Sequence, residues 1–210
     1  MLRRFGLVCL FVSIATLPVR AESVRITQDI EARTIMLNGA AIVIDRIQDS
    51  ENRLEGEFTR TSRPCPPFCI TPMTVAPGVV TLGELEVMDF LETRVAAGEG
   101  LLLDSRLPEF FAKGTIPGAV NLPSATLDPT NPYRDEILKA LGATFTGSEW
   151  DFAQARQLAV FCNGPWCNQA PLAIRHLLQA GYPAGKLSYY RGGMQVWLQL
   201  GLSTHVPNGG

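Results

Sequence analysis

Two thiols stand five residues apart in the segment Phe161-Cys162-Asn163-Gly164-Pro165-Trp166-Cys167-Asn168. The segment leaves an apolar run, Leu158 to Phe161, turns through Gly164-Pro165, and enters a helical pattern at Gln169 with Pro171 tolerated in its first turn. A helix N-terminus offers unpaired N–H groups and the positive end of the dipole, both of which favour an anion. A thiol held there is expected to ionise below its ordinary value of about 8.5, in the range of roughly 3.5 to 7.5. Cys162 is therefore the candidate nucleophile. Asn163, Gly164, Trp166 and Asn168 are the expected anion cradle, with Asn168 also the helix cap. His176 lies about two turns further along the helix, out of reach as a base. Cys167 has two readings: a resolving thiol that closes a disulfide with an oxidised Cys162, or a small buried loop residue.

A second pair, Cys65 and Cys69, sits in Arg63-Pro64-Cys65-Pro66-Pro67-Phe68-Cys69. In an extended chain their Cα atoms would be roughly 13 Å apart. A disulfide needs about 4.4 to 6.8 Å, so the chain between them must turn. The leading expectation is an intra-loop disulfide, followed by two free thiols, and then by a metal or redox relay with Cys162. Metal comes last because two thiolates fall short of the four ligands of a structural zinc site.

Positioning these thiols requires a scaffold, and from Val79 onward strand and helix signals alternate. Thr81 and Glu84 form a capping-box signature for a helix over 82–97, where Leu85, Met88, Leu91 and Val95 recur at helical spacing. A buried strand at Leu101 to Leu103 follows. Then come a short helix from Pro108, a strand at Ala119 to Asn121, a helix over 133–141 and the strand Leu158 to Phe161. The last elements are a helix from Gln169 to Ala180, a strand over 187–190, and a closing helix over 194–200 whose Trp197 packs on the sheet. Such alternation specifies an α/β domain, a parallel sheet covered by helices on both faces, and reactive groups lie past the carboxyl ends of its strands.

The remainder divides differently. Residues 22–78 read as a small β-rich N-terminal module, from Ser23 to Ile30 and Thr34 to Ile47, with an Asn38-Gly39 hairpin turn. Pro64, Pro66, Pro67 and Pro72 forbid a helix in the loop that follows. Residues 1–21 carry Arg3 and Arg4, an apolar run from Leu7 to Ile14, and the small-x-small ending Val19-Arg20-Ala21, which is the pattern of an export signal. The run is too short to span a bilayer, and an uncleaved membrane anchor is the alternative. The chain is accordingly expected to be periplasmic or secreted, where disulfides persist. Its 210 residues are 46% hydrophobic and 18% charged. Removing the leader takes three arginines and no acid, moving the net charge from −2 to −5, which argues against nucleic acid as a partner. Residues 205–210 form a tail.

Several of these motifs, in their order, resemble the signatures of a rhodanese-like domain over residues 79–204. They are Leu102-Leu103-Asp104-Ser105-Arg106, Pro108-Glu109-Phe110, the run from Gly114 to Asn121, the cysteine loop, and the closing run from Arg191 to Trp197. The resemblance implies a sulfurtransferase or sulfur carrier without metal or organic cofactor. A loop cysteine takes sulfane sulfur from a small donor such as thiosulfate, holds it as a persulfide and passes it to a thiol acceptor. By position, Cys162 is that carrier. Asp104 and Arg106 match an Asp-x-Arg motif, either as an ion pair fixing the strand end or as direct participants. Many catalytic members have an arginine five residues after the cysteine, where this chain has Cys167, so thiosulfate turnover is in question. Arg191 is either the substitute cation or an exposed residue ahead of Gly192-Gly193. Trp166 either walls the pocket or anchors the loop to the N-terminal module. Phosphatases of related architecture resemble Cys-x5-Arg, and Asn168 takes that arginine's place here. The alternative functions are a binding module without turnover, with the N-terminal module meeting a protein partner, and a thiol–disulfide redox protein using Cys162 and Cys167.

Overall fold

The computed structural model describes residues 23–207. The expected export signal, 1–21, and the end of the expected tail lie outside the described residues. Among the described residues no helix is long and apolar enough to cross a membrane.

The chain opens with an antiparallel hairpin of β1 (Arg33–Leu37) and β2 (Ala40–Ile44), registered Leu37 against Ala40. Asn38 and Gly39 turn it with φ of 51° and 81°, the left-handed pair that a two-residue turn requires. Ile35 and Ile44 point inward and are buried, while Met36 and Val43 are exposed. This hairpin is the small β module; around it, residues 26–29 form bends, and 45–79 hold one isolated bridge at Arg46, turns and one short 3-10 helix. Of the β-branched residues there, Ile26 and Val75 lie against the core of the following domain, whereas Ile47 and Ile70 are exposed.

Five strands make the central sheet: β3 (Val80–Leu82), β4 (Gly100–Asp104), β5 (Ala119–Asn121), β8 (Gln157–Phe161) and β9 (Leu187–Tyr190). Their order is β3-β9-β8-β4-β5 and every pairing is parallel. Side chains alternate faces along a strand, so β8 sends Leu158 and Val160 to one core and Ala159 and Phe161 to the other. Helices α3 (Arg134–Ala140) and α4 (Gln169–Gln179) cover the first face through Leu138, Ala173, Ile174 and Leu177. The opposite face takes α1 (Glu84–Phe90), α5 (Gly193–Gln199) and the hairpin, through Val87, Met88, Met194, Trp197, Ile35 and Ile44. Trp197 is fully buried, and truncating such a residue to alanine costs about 3–5 kcal/mol.

The first helix starts later than the capping-box signature predicts. Thr81 and Leu82 pair with Tyr189 and Tyr190 as an edge strand, and the helix begins at Glu84. The acid that reaches back is Glu86, whose carboxylate accepts from the Gly83 N–H at 3.0 Å. The helix then loosens into a π turn over Leu91–Val95. A short helix α2 (Pro108–Phe111) lies between β4 and β5. A two-residue ribbon, β6 (Thr144–Phe145) with β7 (Trp150–Asp151), precedes β8.

Candidate functional site

Strand β8 ends at Phe161, and the loop 162–168 carries the chain from the sheet into α4. Two neighbours hold this loop. The first turn of α5 donates backbone N–H groups to it, Met194 to the Cys162 carbonyl at 3.0 Å and Gln195 to the Asn163 carbonyl at 2.8 Å. This approach is possible only because residue 193 is glycine with φ of 56°. A Cβ there would collide with the Cys162 carbonyl oxygen and reach within 2.8 Å of the Gly164 nitrogen. Gly164 is equally confined, since its Cβ would meet Gln195 Cβ at 2.8 Å.

With its carbonyls tied to α5, the loop turns N–H groups inward. Those of Gly164 and Ala170 point at the Cys162 sulfur, and those of Asn163 and Gln169 at the Cys167 sulfur. The expectation corrected here is the Asn168 side-chain cap. Trp166 sends its indole Nε1–H to Gln195 Oε1 at 3.3 Å, and Asn168 sits at the helix start in a helical conformation without capping it through its side chain.

Both loop thiols are free and buried, Cys162 being 2% exposed and Cys167 6%. Their electrostatics correct the expectation of a Cys162 thiolate. Burial pushes the Cys162 thiol well above the ordinary range, reinforced by its hydrogen bond to Cys167, and two N–H groups do not offset this. The Cys167 thiol moves down, because Cys162 donates to its sulfur and the N–H groups of Gln169 and Asn163 and the charge of Arg106 assist. Cys162 Sγ also donates to the Cys167 carbonyl oxygen at 3.3 Å. Cys167 Sγ lies 3.4 Å from Gln169 Oε1; as a thiol it donates to that oxygen, and as a thiolate it accepts from the same amide turned over.

Asp104 and Arg106 are buried together at the end of β4, beside Phe161 of β8. Arg106 Nη2 donates to Asp104 Oδ2 at 2.6 Å, Thr115 Oγ1 to the same oxygen at 2.8 Å, and Arg106 Nε to both carboxylate oxygens. Arg106 Nη2 also reaches the Gly114 carbonyl at 2.7 Å. This pair joins the strand end to the following loop, and Arg106 reaches the thiols only through its charge.

Arg191 does not supply the missing cation. Its Nε and Nη2 donate to the Thr71 carbonyl at 3.0 and 2.9 Å. Thr71 in turn grips the cysteine loop, donating its N–H and its hydroxyl to the Pro165 carbonyl at 2.7 and 2.9 Å. Upstream, Cys65 and Cys69 are joined by a disulfide with Cα atoms 4.6 Å apart. The ring it closes presents Phe68 edge-on to Trp166, centroids 5.8 Å apart, and Arg63 lies 3.7 Å over the Trp166 ring. Trp166 thus contacts the N-terminal segment through Phe68 and Arg63 and also lines the cavity beside the loop. Glu57, Arg63 and Thr71 had no signal in the sequence beyond their place in a proline-rich linker.

The segment 57–71, a strap across the cysteine loop, borders with that loop a half-open cavity of about 330 Å³ lined by Glu57, Pro67, Phe68, Phe110, Asn163, Trp166, Cys167, Asn168 and Gln169. Among the described residues, no group of three or more His, Cys, Asp or Glu side chains is arranged to hold a metal ion.

A family model described as "Rhodanese-like domain" matches residues 87–200, more than half of the chain. An HTH-type transcriptional regulator of Mycobacterium tuberculosis is 34% identical over 109 residues, 52% of this chain and 39% of the regulator. The chain thus spans well under half the length of that curated relative. Among solved structures, a rhodanese-related protein from Thermoplasma volcanium is 19% identical with a TM-score of 0.42, covering 61% of this chain and 99% of that one. The human single-domain sulfurtransferase is 26% identical with a TM-score of 0.39, covering 59% and 97%.

Proposed function

The chain belongs to the rhodanese-like domain family, and from that membership we propose that it carries sulfane sulfur as a persulfide on the 162–168 loop and passes it to a thiol acceptor. One observation carries this reading: two reduced thiols share a hydrogen-bonded cluster beneath four inward-pointing N–H groups at the junction of β8 and α4. Such groups stabilise the negative charge of a thiolate or of a bound persulfide. The Cys65–Cys69 disulfide supports export to an oxidising compartment. The transfer needs no metal or organic cofactor.

Incubating the reduced chain with thiosulfate and, separately, with cysteine persulfide tests the proposal. The expected result is one added sulfur on the peptide spanning Cys162 and Cys167, discharged to thiocyanate by cyanide and absent from the double variant C162S/C167S. An unmodified peptide with both donors overturns the reading.

A second reading, thiol–disulfide exchange, is favoured by two free thiols on one short loop, Cys162 Sγ lying 3.3 Å from the Cys167 carbonyl oxygen. It predicts a Cys162–Cys167 disulfide after mild oxidation, reversed by a dithiol.

A further inference from the structure

Every carbonyl oxygen from Cys162 to Pro165 is bonded. Those of Cys162 and Asn163 accept from α5, that of Gly164 from the Cys167 N–H at 2.9 Å, and that of Pro165 from Thr71. Thr71 stands two residues after Cys69, outside the matched residues 87–200. It is buried with all its polar groups engaged. Its N–H and hydroxyl both go to the Pro165 carbonyl, and its own carbonyl accepts from Arg191. Because the Thr71 hydroxyl proton is given to Pro165, the Tyr189 hydroxyl donates to Thr71 Oγ1 at 3.1 Å. Burial pushes that phenol up to about 12, so it keeps its proton at neutral pH.

The bond from Cys167 to Gly164 closes a four-residue turn whose central peptide unit, Pro165–Trp166, has no bond within the turn. Its facing is set from outside, by Thr71. The unit is planar and trans, so its C=O and N–H point opposite ways. Holding the Pro165 oxygen on the strap turns the Trp166 N–H away from the strap. The two loop units whose carbonyls are tied to α5 follow the same rule, and their N–H groups, on Asn163 and Gly164, point at the loop sulfurs. Among the described residues the Trp166 N–H donates to no oxygen.

We propose that Thr71 is a positioning residue for sulfur carriage: by holding the Pro165 carbonyl it aims the Trp166 N–H at the terminal sulfur of a Cys162 persulfide. This rests on the sulfur-carrying reading above. Loading from an organic persulfide is an exchange. The Cys162 thiolate attacks the terminal sulfur of RS–SH, the donor's S–S bond breaks, and its electron pair leaves on RS⁻, which takes the proton of the transferred sulfur. The products are Cys162–S–S⁻ and RSH, formed without an external oxidant or reductant. The charged terminal sulfur lies one bond beyond Cys162 Sγ and is the atom that the Trp166 N–H meets. A hydrogen bond to an anion is stronger than one to a neutral group, so this donor favours the loaded chain.

The test uses the full chain with its Cys65–Cys69 disulfide intact, labelled with the heavy nitrogen isotope at tryptophan only. Its three tryptophans, Trp150, Trp166 and Trp197, give three backbone amide signals, and W166F identifies one of them. Cysteine persulfide is the donor, and tandem mass spectrometry locates the added sulfur. The expected result is sulfur on Cys162 and a downfield move of the Trp166 amide proton on loading. In T71V, which keeps the side chain's shape and the backbone N–H, the move is smaller and equilibrium loading against cysteine falls about two- to tenfold; T71S restores both. A loaded chain whose Trp166 amide stays in place, sulfur on Cys167 alone, a T71V that matches the parent, or a T71S as deficient as T71V overturns the proposal while leaving sulfur carriage intact. A chain that takes no sulfur from cysteine persulfide or thiosulfate overturns carriage itself. The amide signal of the unsubstituted chain decides even where T71V fails to fold.

Discussion

Arg191 places two N–H groups on the single carbonyl oxygen of Thr71, 120 residues earlier in the chain. The contact spans the end of β9 and the strap that closes over the cysteine loop. A cation that would otherwise serve an anionic donor is spent on holding the cavity's outer wall. Replacing Arg191 with methionine keeps much of the side chain's length and removes both bonds. The expected cost is about 1–3 kcal/mol in urea unfolding, with faster proteolysis within 60–72 than elsewhere. Unchanged stability and unchanged cleavage would show that the strap is held without it.

The Asp104–Arg106 pair makes a different prediction. Its carboxylate receives bonds from Arg106 and Thr115 and is shut from solvent. In D104N the guanidinium stays buried without its counter-charge, and unfolding is expected to be easier by about 3–5 kcal/mol. Persulfide loading per folded molecule should fall little, since Arg106 touches neither sulfur. A variant of normal stability that loads no sulfur would move the pair into the chemistry.

Gly193 is the residue on which the loop's closure depends. In G193A a methyl group must occupy space filled by the Cys162 carbonyl and the Gly164 nitrogen, in a conformation that alanine disfavours. The expected outcome is a folded but destabilised chain whose two loop thiols alkylate faster than in the parent, because the loop has lifted from α5. Unaltered alkylation rates would contradict this account.

The order of the two thiols is readable in pH dependence. Cys167 is held down chiefly by the Cys162 thiol proton, so its thiolate should persist to lower pH than that of a free cysteine. Alkylation of Cys167 should therefore remain fast as pH falls and decline only below the depressed midpoint. In C162A the donated proton is gone, and the Cys167 midpoint should move up toward the ordinary thiol value. Cys162, pushed up by burial, should alkylate in the unsubstituted chain only at higher pH. A lower midpoint for Cys162 than for Cys167 would contradict this order.

The scaffold was readable because its signals are local. Leu158 to Phe161 is an apolar run ending at a Gly-Pro turn, and Asn38-Gly39 demands left-handed backbone, so strand, loop and hairpin follow from neighbouring residues. The first helix was misplaced because Thr81-x-x-Glu84 and Gly83-x-x-Glu86 both offer a start. Pairing of Thr81 with Tyr189 decides between them from across the sheet. The ribbon of β6 and β7 is two residues a side, too short for any alternation to register. At the site, two cysteines could be recognised from their spacing, but not their depth. Which one is the stronger acid depends on the strap 57–71, a proline-rich stretch with no periodicity from which its fold over Trp166 could be read.

That strap gives the molecule two kinds of sulfur at close quarters, one pair oxidised and one reduced. Phe68 lies within the ring closed by Cys65 and Cys69, and the same phenyl forms part of the wall facing Cys167. A reductant strong enough to open that ring would slacken the wall beside the two loop thiols even as it kept them reduced. The two pairs therefore ask for opposite redox surroundings.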